Sequence, residues 1–114
     1  MSKVTIWHNP RCSKSRATLA ILNEAGVEPE IVAYKETPPS EADIRAALAL
    51  LGIGARDLVR KGEAEYKALG LKDADEDTLV RAMAEHPGLI ERPVVFANGK
   101  AAIGRPPEAV KAIL

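Results

Sequence analysis

The chain has 114 residues, 46% hydrophobic and 28% charged, with 16 basic against 16 acidic side chains and a formal net charge of zero. That length fits one hydrophobic core, and the charge balance excludes a nucleic-acid binder that works by bulk phosphate attraction, which needs a basic excess. No run approaches the ~20 apolar residues of a membrane span, and the apolar run near the N-terminus is too short for a signal peptide, so a cytoplasmic protein with no membrane partner is expected.

"KVTIWH" (3–8) alternates Val4 and Ile6 with Thr5 and Trp7 and reads as a strand, followed at once by the turn-forming pair Asn9–Pro10. "RATLAILNEAG" reads as a helix, with Ser13 or Ser15 able to cap it, Ala17, Leu19, Ala20, Ile21 and Leu22 apolar, and Gly26 placed to end it. "EIVAY" (30–34) is a second strand, so residues 3–34 have the rhythm of a strand, helix, strand unit with parallel strands. Pro38 and Pro39 then break the chain. Ser40 with Asp43 forms a capping box, Ile44, Ala47, Leu48 and Leu51 share one helical face, and Gly52 is the stop. "ARDLVRKG" and "EAEYKALG" read as short helical pieces closed by Gly62 and Gly70. "DEDTLVRAMAEHP" has Asp75 as its cap, Leu79, Val80 and Met83 inward, and Pro87 as its end. "RPVVFANGKAAIG" is two short strands joined by Asn98–Gly99, the strongest short-range hairpin signal, and "RPPEAVKAIL" starts a last helix with Pro107 in its first turn. The order predicts an α/β, thioredoxin-like fold: one domain over 1–114, carrying a helical insertion at about 40–86.

Cys12 is the only cysteine, so no internal disulfide can form, and it falls at or just before a helix N-terminus within "HNPRCSKSR". The thiolate is the nucleophile, and a free thiol with a pKa of about 8.5 is mostly protonated at neutral pH. A helix N-terminus favours the anion through unpaired N–H groups and about half a positive charge, and Arg11, Lys14, Arg16 or His8 can add to it. The competing reading is an inert buried cysteine, but such a residue has no need of Asn-Pro before it and Ser-Lys-Ser-Arg after it. Three residues separate Cys12 from Arg16, not the five of the cysteine-phosphatase loop. "CSKS" lacks the resolving thiol of a C-x-x-C oxidoreductase. One Cys with His8 and His86 makes no metal-ligand set, so neither a metal nor a bound cofactor is expected, and His86 reads as a helix-end residue.

Arg45, Arg56 and Arg81 read as solvated surface side chains. Arg60, Arg92 and Arg105 fall at element boundaries, and the last two directly precede proline, which biases them to extended backbone. Arg92 begins the third strand and Arg105 follows the fourth, where loops can lie beside Cys12. Guanidinium groups bind tetrahedral oxyanions through paired hydrogen bonds, so three converging arginines would make an oxyanion site. Arg92–Pro93 is also a candidate cis peptide.

"WHNPRCSKSR", "LVRK", "ERPVV" and "GRPPE" together resemble the glutaredoxin-linked arsenate reductase family over essentially the whole chain, most of all its less characterised branch. The resemblance implies a thioredoxin-like fold with a helical insertion, Cys12 as the nucleophile on arsenate, and Arg60, Arg92 and Arg105 as holders of the oxyanion. It also implies that His8 tunes the loop, that glutathione is the co-substrate, and that glutaredoxin resolves the mixed disulfide. The loop departs from the family's "HNPACGTSR" type: Arg11 replaces a small residue, "SKS" replaces "GTS", and Trp7 stands where Tyr is common. Two other functions fit the residues. C-x-x-S spacing suits a monothiol glutaredoxin-like deglutathionylation, and the fold resembles that of regulators that bind RNA polymerase.

Overall fold

A computed structural model of the chain describes residues 4–114. They fall into two compact units, one made of the described residues up to Thr37 with Arg92–Leu114, the other of Pro38–Glu91.

The first unit holds a four-stranded sheet of β1 (Thr5–Trp7), β2 (Glu30–Val32), β3 (Val94–Ala97) and β4 (Lys100–Ile103), in the order β2-β1-β3-β4. β1 pairs parallel with β2, as the intervening helix α1 (Ser13–Glu24) requires, and antiparallel with β3, while β3 and β4 form a hairpin. This strand, helix, strand, hairpin, helix arrangement is the thioredoxin-like one expected. At the hairpin turn Asn98 and Gly99 both take the left-handed backbone (φ 55° and 73°) that a two-residue connection between twisted strands demands. Gly26 and Gly52 occupy the same region just past the ends of their helices, as their positions predicted.

Ile6, Leu22, Val95, Ala97, Val110 and Ile113 form the core of this unit. Ile6 and Val95 are cross-strand partners and share one face of the sheet, against which α1 and the C-terminal segment pack. Complete burial of a Leu, Ile or Val is worth about 1.5–3 kcal/mol, so this cluster fixes the β1–α1 junction from below. On the other face Trp7 meets Phe96 edge-on, ring centroids 5.0 Å apart. The last segment, Pro107–Ile113, is the helix expected and takes the 3-10 form; Pro107 is at its start, and Val110 and Ile113 are buried at i and i+3. Asn98 Nδ2 donates to Ile113 O (2.7 Å), tying this segment to the hairpin turn.

The second unit is helical: α2 (Glu41–Leu51), α3 (Ala55–Leu58), α4 (Ala64–Ala68) and α5 (Glu76–Glu85), with α5 packed on α2 and α3. The capping box of Ser40 and Asp43 is present in full, and Asp75 caps α5 by accepting from Thr78 N–H. Leu79, Val80 and Met83 are buried, and His86 is the C-cap of α5. α3 stops at Leu58, short of Gly62, because Val59 turns extended and bridges to Ile90. Two of the arginines read as solvated are engaged. Arg45 pairs with Asp77 (2.7 Å) at the surface, and Arg56 donates to the carbonyls of Lys72 and Ala74.

Candidate active site

Cys12 is the N-cap of α1, in extended backbone (φ −94°, ψ 122°), and its carbonyl accepts the first helical bond from Arg16 N–H at 3.0 Å. Neither Ser13 nor Ser15 caps the helix. No conventional side-chain cap bond forms at this N-cap, and the N–H groups of Lys14 and Ser15 bear on the thiol. The approach to Cys12 is a wound loop: Cys12 N–H donates to Asn9 O (3.0 Å), Arg11 N–H to Asn9 Oδ1 (3.0 Å), and Arg16 Nη1 to Pro10 O (2.8 Å). His8 N–H bonds Val32 O across to β2 (2.9 Å), which anchors the loop to the sheet.

Two of the arginines expected at an oxyanion site belong to this unit. Arg92 precedes β3 and Arg105 follows β4, so the β3–β4 hairpin delivers both to one end of the sheet. Both of their bonds to the next proline are cis. Arg105 Nε donates to Arg92 O (2.9 Å), and its Nη2 lies 3.8 Å from Cys12 Sγ. Partial burial pushes the Cys12 thiol up, but it is outweighed. The N–H of Ser15, the guanidinium of Arg92 and the N–H of Lys14 all stabilise the anion, and the thiol ends below its ordinary value. Arg60 belongs to the second unit, where its guanidinium meets Glu63 (3.1 Å) and Glu91 (3.4 Å).

His8 is buried and reaches the loop through Ser15. Its Nδ1 lies 2.6 Å from Ser15 Oγ, which also accepts from Asn9 N–H at 3.0 Å. Burial and, second, the positive charge of Arg16 lower the pKa of His8, so the ring is neutral at neutral pH. Ser15 is therefore a positioning residue that sequence reading missed: it is fully buried, its side chain locks His8 and Asn9, and its backbone N–H faces the thiol. The signal that could have found it is spacing, since Ser15, Thr18 and Leu22 line the buried face of α1.

Thr18 returns its hydroxyl to Lys14 O (2.8 Å), which lets a polar side chain sit at that face. It also abuts Gly104, the residue before Arg105. A Cβ on Gly104 would run into Thr18 Oγ1 and lie 2.7 Å from Pro93 Cγ, so only glycine lets this loop close on α1. Among the described residues no three His, Cys, Asp or Glu side chains gather where they could hold a metal ion, and no helix is long and apolar enough to cross a membrane.

The ArsC family model matches residues 7–113. The chain is 49% identical to the arsenate reductase of Neisseria meningitidis serogroup B, over all of both chains. It is 55% identical to the Escherichia coli K12 protein YfgD, named as uncharacterized, across 98% of this chain and 97% of that one. The solved structure of an arsenate reductase from Vibrio cholerae matches with a TM-score of 0.95 at 48% identity, covering 98% of each chain.

Proposed function

The chain belongs to the ArsC family, and on that premise we propose that it reduces arsenate to arsenite with Cys12 as the nucleophile, glutathione as co-substrate and glutaredoxin as the final reductant. One observation carries the reading: the sole thiol, held below its ordinary pKa, sits beside the side chains of Arg92 and Arg105. The relatives' names and the loop geometry support it together.

In the first step the Cys12 thiolate attacks arsenic, and an arsenate hydroxyl leaves as water after taking a proton, so a sulfur–arsenic bond forms. Arg92 and Arg105 hold the charged oxygens, and the open N–H groups of α1 face the same point. The thiolate of glutathione then attacks Cys12 Sγ. As the sulfur–sulfur bond forms, the sulfur–arsenic bond breaks and its electron pair stays on arsenic, which leaves as arsenite. In sum, arsenate and two thiols give arsenite, one disulfide and water. A lone cysteine supplies only one of the two thiols, so the second comes from outside. Glutaredoxin then returns Cys12 from the mixed disulfide, chemistry that suits the reducing cytoplasm.

Arg60 takes a place in oxyanion binding by family resemblance, and Arg60→Ala is expected to raise KM for arsenate. The overall test is arsenite formation with glutathione and glutaredoxin. Wild type should turn over and Cys12→Ser should fall to background; equal rates in the two would refute the reading.

A further inference from the structure

Beside the Cys12 loop, within the first unit, lies a cavity of about 290 Å³ lined by His8, Asn9, Pro10, Arg11, Ala33, Lys35 and Glu36. It sits just past the C-terminal ends of the parallel strands β1 and β2, the edge at which open α/β sheets take their ligands. Its size is at the lower end of small-molecule pockets, which run from about 300 to 1,000 Å³. Both walls are fixed by hydrogen bonds from backbone N–H groups. Arg11 N–H is held by Asn9 Oδ1 on one side, and Glu36 and Thr37 N–H both return to Ala33 O (2.9 Å each) on the other.

Arg11, Lys35 and Glu36 are exposed at its rim. Among the described residues the side chains of Arg11, Lys35 and Glu36 make no ion pair, although Lys35 and Glu36 are neighbours. Two cations and one anion thus border a cavity whose wall at Arg11 adjoins the nucleophile. We propose that this cavity is the docking subsite of the external thiol: a small peptide thiol with two carboxylates and one ammonium, its carboxylates on Arg11 and Lys35 and its ammonium on Glu36. Arg11, which lines the cavity, is the residue immediately before Cys12. The inference rests on the reading that an external thiol serves Cys12, and it adds where that thiol binds and which charges select it.

The test uses thiol exchange and no arsenate. Cys12 is first converted to its mixed disulfide with 2-nitro-5-thiobenzoate. An added thiolate then attacks Cys12 Sγ, the sulfur–sulfur bond breaks, and the coloured aryl thiolate leaves, with no net change in oxidation state. Glutathione is compared with 3-mercaptopropionate, which carries the same net charge without the peptide. In the wild type the rate should saturate with glutathione and rise linearly with 3-mercaptopropionate. Lys35→Glu should lower the ratio of the two rate constants about tenfold, the size of a lost charged contact. Glu36→Lys should lower the ratio too, although it adds positive charge and so draws any anion closer. An unchanged ratio in either variant would overturn the subsite, as would a parallel change for both thiols, which is a field effect alone. Because arsenate is absent, loss of arsenate reduction and loss of this subsite are read separately.

Discussion

Ser15 shows how much of the site depends on one hydroxyl that never needs to touch substrate. Its Oγ serves His8 Nδ1 and Asn9 N–H in a fully buried position, so Ser15→Ala leaves both without that partner. A buried polar group left unsatisfied costs about 1–3 kcal/mol, and urea unfolding of the variant should show a loss of that size. His8 adds a pH dependence whose sign follows from its depressed pKa. The unfolded chain takes up the proton first, at about pH 6.5, so the contribution of a neutral His8 is complete above that value. It is lost as the pH falls toward the lower folded value. Unfolding free energies measured across this range should decline on acidification more steeply in wild type than in His8→Gln.

At the level of elements, the structure agrees with the sequence where the signal is local. Ser40 with Asp43, Asp75 before Thr78, and Asn98–Gly99 each act within four residues, and each forms the cap or turn that its chemistry demands. Ser40→Ala should cost about 1 kcal/mol, seen as a lower denaturation midpoint with an unchanged slope. Legibility fails where a distant partner decides. Gly62 looks like the stop of α3, but Val59 leaves the helix earlier to bridge Ile90. Ser15 reads as a possible cap and Thr18 carries no signal of its own, yet both are buried, Ser15 Oγ bonded to His8 and Asn9 N–H of the loop and Thr18 donating to Lys14 O. Gly104 gave no signal either, because its constraint is the approach of Thr18 and Pro93 from other elements. Gly104→Ala should destabilise the protein by about 1–3 kcal/mol and move Arg105, lowering kcat/KM for arsenate along with the midpoint.

For the whole molecule, the thioredoxin-like order was legible because strand and helix periods alternate cleanly along residues 3–34 and 92–114. The position of Cys12 at the start of α1 was legible for the same reason, since a strand end and a helix start meet there. The backbone part of its activation, the N–H groups at the helix start, was legible too; the share of the neighbouring side chains was not. The charges beside it in sequence suggested Arg11, Lys14, Arg16 or His8 as additions, whereas Arg16 is turned to Pro10 O and the guanidinium groups beside the thiol are those of Arg92 and Arg105, from the ends of the hairpin. Sequence neighbours of a helix N-cap splay outward, and only the sheet brings the hairpin ends to it. The account therefore turns on a thiol activated by backbone N–H groups and a remote arginine, beside an anion site. The pH dependence of Cys12 alkylation, with and without arsenate, measures both halves at once. The predicted result is an inflection below the free-thiol value of about 8.5, moved upward in Arg92→Ala, with arsenate protecting the wild-type thiol. An inflection near 8.5, together with no protection by arsenate, would contradict it.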